Sequence, residues 1–166
     1  MCSATDCPSR DKGLCQVSDR CYAMKAEKQY PAVLPYRREQ KAYWDSTESQ
    51  DIAKDLRDII KRKHNDIKYI RFSESGDFES QDDVEKLKEV VSYMPGVIWY
   101  GYTARRDLEY NNIPNNLIVN GSGFVVSNSF TAVERILEEH TSCPGNCRDC
   151  DLCKQARAFE IKVLYH

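Results

Sequence analysis

A length of 166 residues suffices for one domain with a sizeable core but not for two ordinary ones. An apolar fraction of 41% and a charged fraction of 30% describe a soluble globular chain, and a net charge of −2 excludes any global pull towards nucleic acid or anionic lipid. No run approaches the roughly eighteen apolar residues of a membrane span, and Met1-Cys2-Ser3-Ala4-Thr5-Asp6 lacks a basic and then apolar signal segment, so a cytoplasmic location with no membrane partner is expected.

The eight cysteines fall into two groups with none between them. Cys2, Cys7, Cys15 and Cys21 share the segment 1–21 with Pro8, Ser9 and Gly13, which reads as a loop enclosing something before regular structure begins. Tyr22 to Lys28 is a run of good helix formers ending before Tyr30-Pro31. Pro31 and Pro35 then frame a short extended link, and helix resumes from Tyr36 to Trp44. Ile52, Leu56, Ile59 and Ile60 recur at helical spacing. Lys54, Arg57, Lys61 and Arg62, interleaved with Asp51, Asp55 and Asp58, read as a solvated face in preference to a nucleic-acid patch.

Residues 67–72 read as the first strand, followed by the polar turn Ser73-Glu74-Ser75-Gly76-Asp77. A helix from Asp82 to Tyr93 turns Val84, Leu87, Val90 and Val91 inward, and Pro95-Gly96 ends it. Strands are expected at 97–103, 117–120, 124–128 and 159–164, with Gly121-Ser122-Gly123 turning the chain after the third. Thr131-x-x-Glu134 has the form of a capping box opening a helix from Ala132 to His140. The expected fold is a single α/β domain with a mostly parallel, curved and partly barrel-like sheet. Its core spans 67–140, with cysteine-rich metal-binding segments at 1–21 and 143–153. No internal repeat or low-complexity linker is present.

The densest chemistry is Cys143-Pro144-Gly145-Asn146-Cys147-Arg148-Asp149-Cys150-Asp151-Leu152-Cys153. Thiols this close can surround one inorganic centre, whereas two unstrained disulfides need Cα pairs within about 7 Å and facing side chains. An intracellular chain keeps its thiols reduced, which favours metal. The intervals of three, two and two residues match the crowded runs that wrap iron-sulfur clusters better than the separated pairs of structural zinc. A four-iron (4Fe-4S) cluster on Cys143, Cys147, Cys150 and Cys153 is therefore expected, with zinc as the alternative and a disulfide or redox switch as the third reading. Cys2, Cys7, Cys15 and Cys21 would hold a second centre or share one.

Ligands of parallel α/β sheets bind beyond the carboxyl ends of the strands. Those positions hold Glu74, Ser75, Gly76 and Asp77, then Thr103 and Arg105, then Asn120 and Ser122, then Asn128 and Ser129. Glu74, Ser75, Gly76, Asp77, Thr103, Asn120 and Asn128 are the candidate cofactor-binding set, although each could equally serve a turn or cap. Arg105 and Arg106 are expected to be solvated or paired with Asp107. His140 is read as a plain helix end, with ligation of a metal beside Cys143 as the alternative, and His64 as an exposed helix end. Tyr22, Tyr36, Trp44 and Trp99 are expected to pack around the clusters. No catalytic residue is assigned, and neither a Ser/His/Asp triad nor a phosphate-cradling loop is present.

Cys7-Pro8, Gly13, Cys15, Cys21-Tyr22-Ala23, Lys25-Ala26, Tyr30-Pro31, Tyr36-Arg37, Arg71-Phe72, Ser75-Gly76-Asp77-Phe78 and Tyr100-x-Tyr102-Thr103 together resemble the phage gene-product-eighty-eight family. The terminal cysteine-rich segment and short strand are similar to phage proteins that resemble radical S-adenosylmethionine (SAM) enzymes. The resemblance implies an iron-sulfur protein with part of a radical-SAM-like barrel. In it Cys7, Cys15 and Cys21 would leave one iron open for SAM, and Ser75-Gly76-Asp77 would hold the SAM amino group. Such enzymes space those thiolates three and two residues apart, an interval found here at Cys143, Cys147 and Cys150.

The expected function is thus an iron-sulfur protein with one or two clusters, acting either in radical-SAM-like chemistry or in electron transfer, with substrate and redox partner unassigned. The alternative is a zinc-stapled interaction module binding nucleic acid through Arg37, Arg38, Lys54, Lys61 and Arg62.

Overall fold

The helical periodicity of the first half is realised in a computed structural model that describes residues 2–62, 67–147 and 149–164. The 1–21 segment is not all loop, because Pro8 sits at the first position of a short helix, α1 (Pro8–Asp11), where its missing N–H breaks no helical bond. Helix α2 (Tyr22–Gln29) starts directly after Cys21. Helix α3 (Val33–Ser46) begins earlier than expected, since Pro35 falls in its first turn and is tolerated there. The expected extended link is therefore reduced to the turn around Pro31. Helix α4 (Ser49–Arg62) buries Ile52 and Ala53 and leaves its charged face to solvent.

Five strands follow in chain order and pair in chain order: β1 (Tyr69–Arg71), β2 (Ile98–Thr103), β3 (Leu117–Ser122), β4 (Asn128–Val133) and β5 (Glu160–Leu164). Every pairing is parallel. The α/β class and the parallel single-domain sheet are as expected. Among the described residues β1 and β5 remain at opposite edges, so the sheet is open. Helix α5 (Gln81–Ser92) is the crossover between β1 and β2. The register puts Trp99 opposite Leu117 and Tyr102 opposite Asn120, which separates two faces. One face carries Ile70, Trp99, Leu117 and Val119 into the main core against α4 and α5, together with Phe72 and Phe78. The other carries Tyr100, Tyr102, Phe130, Ile161 and Val163 into a smaller core with Cys143, Leu152 and Cys153. The cysteine-rich C-terminal segment thus covers the face that helices leave bare.

The sequence reading fails between 124 and 140. Strand β4 begins at Asn128 rather than ending there, and residues 132–140 form no helix. Asn128 pairs opposite Asn120, and β4 runs on to Val133 with Thr131, Ala132 and Val133 paired to β5, so the residues expected to open the helix belong to the sheet. Thr131, expected to cap a helix, lies in β4 and donates to Glu160 Oε1 on β5 at 2.9 Å. Residues 141–143 then pair with the outer edge of β5, through Cys143 N to Lys162 O at 2.9 Å and Lys162 N to Thr141 O at 2.8 Å. His140 accepts from Leu137 N at 3.2 Å in a turn and is no helix end. His64 lies outside the described residues.

Gly101, in the middle of β2, lets the Phe72 ring press against the backbone. A Cβ there would stand 2.5 Å from Phe72 Cε2. Gly101→Ala is therefore expected to lower stability by about 1–3 kcal/mol through overpacking. Phe72→Leu should recover part of that loss in the double variant, as read from urea denaturation midpoints.

Candidate functional site

The site is built around the carboxylate of Asp77, which is 4% exposed. Four donors converge on it: Ser9 Oγ at 2.6 Å, Thr103 Oγ1 at 2.7 Å, and the backbone N–H groups of Ala104 at 2.7 Å and Phe78 at 2.9 Å. Burial pushes its pKa up, and these hydrogen bonds oppose that rise. Asp77 thereby fastens the N-terminal segment to the carboxyl ends of β1 and β2. Cys2 completes the joint. Its Sγ donates to Asp77 O at 3.2 Å and lies within 3.4 Å of Asp77 N. Gly76, at φ +66°, leaves the space that Cys2 fills, since a Cβ would meet Cys2 O at 2.2 Å.

A second anchor lies one layer out. Glu27, buried on α2, accepts from Ala4 N at 2.7 Å, from Thr5 N at 2.9 Å and Thr5 Oγ1 at 2.7 Å, and pairs with Arg37 Nη1 at 2.7 Å. Arg37 Nη2 also reaches Glu74 Oε2 at 2.6 Å. Burial works to raise Glu27, but bonds from Thr5, Arg37 and Ala4 carry it below the usual carboxylate range.

Between this strap and the sheet opens a cavity of ≈ 350 Å³, at the carboxyl ends of all five strands. Cys7, Cys15 and Cys21 line it from the strap, and Cys143 lines it from the opposite side. Cys2 does not line it. Contact with the Cys2 thiol, with the backbone N–H groups of Arg10 and Ser9 behind it, brings the Cys7 thiol down to about 7 despite burial. Cys15 is pushed up by burial and by the neighbouring Cys7 and Cys21. Among the described residues, no three His, Cys, Asp or Glu side chains converge closely enough to hold a single metal ion.

The C-terminal thiols line a separate recess. Cys143, Cys147, Cys150 and Cys153 surround a space of ≈ 20 Å³ with Tyr102 and Phe130, which face both spaces. Burial raises the pKa of Cys153 while its hydrogen bond with Tyr102 works the other way. Lys154 Nζ donates to Cys147 O and Cys150 O, each at 2.9 Å, and so holds the loop's carbonyls together.

The sequence-predicted residues separate accordingly. Glu74, Ser75, Gly76, Asp77 and Thr103 all line the large cavity, although the Asp77 carboxylate and the Thr103 hydroxyl are engaged with each other. Asn120 and Asn128 do not reach it. They are fully buried, joined by Asn128 Nδ2 to Asn120 Oδ1 at 2.8 Å, and donate to Cys153 O at 3.0 Å and Gln155 O at 2.8 Å. Both serve to clamp the C-terminal cysteine loop to the sheet. Arg105 pairs with Asp107 as expected, Nε to Oδ1 at 2.7 Å. Trp44 and Trp99 lie in the main core rather than around the cysteines, Tyr36 is exposed, and Tyr22 lines the cavity. Arg37 is buried and Arg38 is paired with Asp6 at 2.9 Å, which removes two cations from the nucleic-acid face considered above. Sequence reasoning passed over Ser9 and Tyr102. Nothing near Ser9 signals its role, whereas Tyr102 could have been found from its alternation with Thr103 on β2.

A model of the family described as Gene product 88 matches residues 2–143. The chain belongs to this family. The Gene product 88 match takes in the N-terminal thiols, the Asp77 joint and the sheet through β4, and it stops at Cys143. Cys147, Cys150, Cys153 and β5 lie beyond it. No curated protein and no solved structure matches the chain. Among the described residues no helix is long and apolar enough to cross a membrane.

Glu27→Gln should remove one partner of a buried ion pair and cost on the order of 3 kcal/mol, softened because Arg37 keeps Glu74. A depressed carboxylate stabilises fully above its unfolded value of about 4.3 and loses that contribution as pH falls through the lower folded value. Urea denaturation from pH 6 to pH 3 should therefore show a shallower acid loss for the variant than for the parent chain.

Proposed function

We propose that this chain is an iron-sulfur enzyme with radical-SAM-like chemistry, in which Cys7, Cys15 and Cys21 hold a four-iron cluster with one open iron at the large cavity. The carrying observation is the division of the N-terminal thiols: three line the cavity, while Cys2 is turned into the Asp77 joint. An electron carrier needs four protein ligands and no such cavity, whereas an enzyme needs an accessible position beside its centre. A donor set made of thiolates alone is the one that sulfide-bridged iron clusters take, which favours a cluster over zinc.

When bound, the cluster would supply a reducing electron and an iron free of protein ligands. The chain's own residues do the rest. Cys7, whose thiol is brought down by Cys2 and by backbone N–H groups, gives up its proton more readily than an ordinary cysteine. The Ser75-Gly76 backbone borders the space in which the SAM amino group would sit, and Tyr102 and Phe130 wall it from water. Cys143, Cys147, Cys150 and Cys153, which line the smaller recess, would hold a second centre with four protein ligands, and Tyr102 borders both spaces.

The test is iron, sulfide and zinc analysis with a visible spectrum on chain purified without oxygen. Brown absorbance near roughly 400 nm with equal iron and sulfide is expected. Ala at Cys7, Cys15 or Cys21 should each remove about four irons, as should Cys147→Ala, while Cys2→Ala should keep both clusters. Zinc without colour would sink the reading. Loss of iron from Cys2→Ala equal to that from Cys7→Ala would make Cys2 the fourth ligand and favour the carrier.

A further inference from the structure

Three arginines are set against the carboxyl ends of the first strands, and two of them are saturated. Arg105 donates to Asp107 and to the carbonyls of Phe78 and Glu79. Arg37 is committed to Glu27, Glu74 and Ala23 O. Arg71, the last residue of β1, differs. It lines the large cavity and is exposed within it. Its guanidinium carbon lies 5.4 Å above the Tyr102 ring, and Nη2 donates to Tyr22 Oη at 3.2 Å. Tyr22 in turn donates to Glu74 O at 2.5 Å, which fixes the orientation of that hydroxyl. Among the described residues no carboxylate pairs with Arg71, so the remaining donors of its fork have no protein acceptor.

This is an oriented cation with unused donors. Stacking on Tyr102 and the bond to Tyr22 hold the guanidinium plane, so less rotamer freedom is lost when an anion binds. Val17, Ala23, Phe130, Ala132 and Val163 give the cavity its apolar wall, and Arg10, Arg20 and Glu74 also border it. A planar fork over an aromatic face, in a largely apolar cavity of ≈ 350 Å³, is the arrangement that receives the acidic end of a small organic molecule. We infer that Arg71 is the anion anchor of the cavity, binding the carboxylate or phosphate of its small-molecule occupant in a bidentate pair while the apolar wall takes the body. The site shares its space with the proposed cluster and depends on that reading only for what lies beside the ligand. The anion could be the carboxylate of SAM or an acidic group on a separate substrate.

The experiment measures binding by calorimetry to the full chain, both metal-free and reconstituted without oxygen, using SAM, decarboxylated SAM and inorganic phosphate. Arg71→Met keeps the apolar stem and removes the charge, and Arg71→Lys keeps the charge and loses the fork. Arg71 meets the smaller core only by stacking on Tyr102, a contact that the apolar stem of Met partly keeps, so circular dichroism and melting of both variants should stay close to the parent. If SAM supplies the anion, the parent chain should bind SAM on the order of 10- to 100-fold more tightly than decarboxylated SAM, and Arg71→Met should abolish that preference. If a separate substrate supplies it, phosphate should bind the parent in preference to Arg71→Met by a similar factor. Arg71→Lys should fall between in either case. Equal binding of every probe to the parent and Arg71→Met, or no binding of any probe to either, would overturn the anchor. Arg71-dependent binding by protein that takes up no iron on reconstitution would sink the cluster reading alone, and cluster-loaded protein with Arg71-independent binding would sink the anchor alone.

Discussion

The structure depends on one buried carboxylate that is never left without donors. Asp77 sits where β1 has ended, and it draws Ser9 from the N-terminal strap and Thr103 and Ala104 from the end of β2 into one joint. Together with Cys2 on its backbone, it lays the strap over the strand ends and gives the cavity its roof. A charged group so buried is costly unless its lone pairs are all met, so the joint is cooperative: each donor is placed by the others, and the loss of one raises the demand on the rest.

Two further devices extend that constraint in opposite directions. Outward, Glu27 and Arg37 tie residues 4 and 5 to α2 and α3, so the helices hold the strap that the sheet has positioned. Across the sheet, Asn120 and Asn128 hold the carbonyls of Cys153 and Gln155 and lay the C-terminal loop on the face without helices. The cysteines at the two ends of the chain are thus fixed by separate polar joints to one sheet, and they meet at the cavity through Cys7, Cys15, Cys21 and Cys143.

Local signals were legible where packing agrees with periodicity. The stripe Ile52, Leu56, Ile60 and the run Val84, Leu87, Val90, Val91 specify helices that bury those residues, and 97–103 and 159–164 lie close to observed strands. Reading failed where a tertiary partner decides. Thr131 and Glu134 have the form of a helix start, but β5 claims Thr131 for the sheet. Asn120 and Asn128 were placed among ligand contacts because strand ends attract ligands, yet their amides answer a loop more than twenty residues away in the chain. The division of Cys2 from its three partners has no signature in spacing at all, because it follows from the room that Gly76 leaves. The Ser-Gly-Asp turn was found, and its Asp proved to be the hinge of the architecture.

The crosspiece at residues 141–143 has a meaning beyond the site it leads to. An outermost strand presents a row of unmatched N–H and C=O groups that a neighbouring chain can adopt as its own template. By pairing with both backbone groups of Lys162, the crosspiece occupies part of that row on β5. The segment that delivers Cys143 to the cavity therefore also works as a guard against edge-to-edge assembly, and whatever holds the C-terminal loop in place helps to keep the protein dispersed.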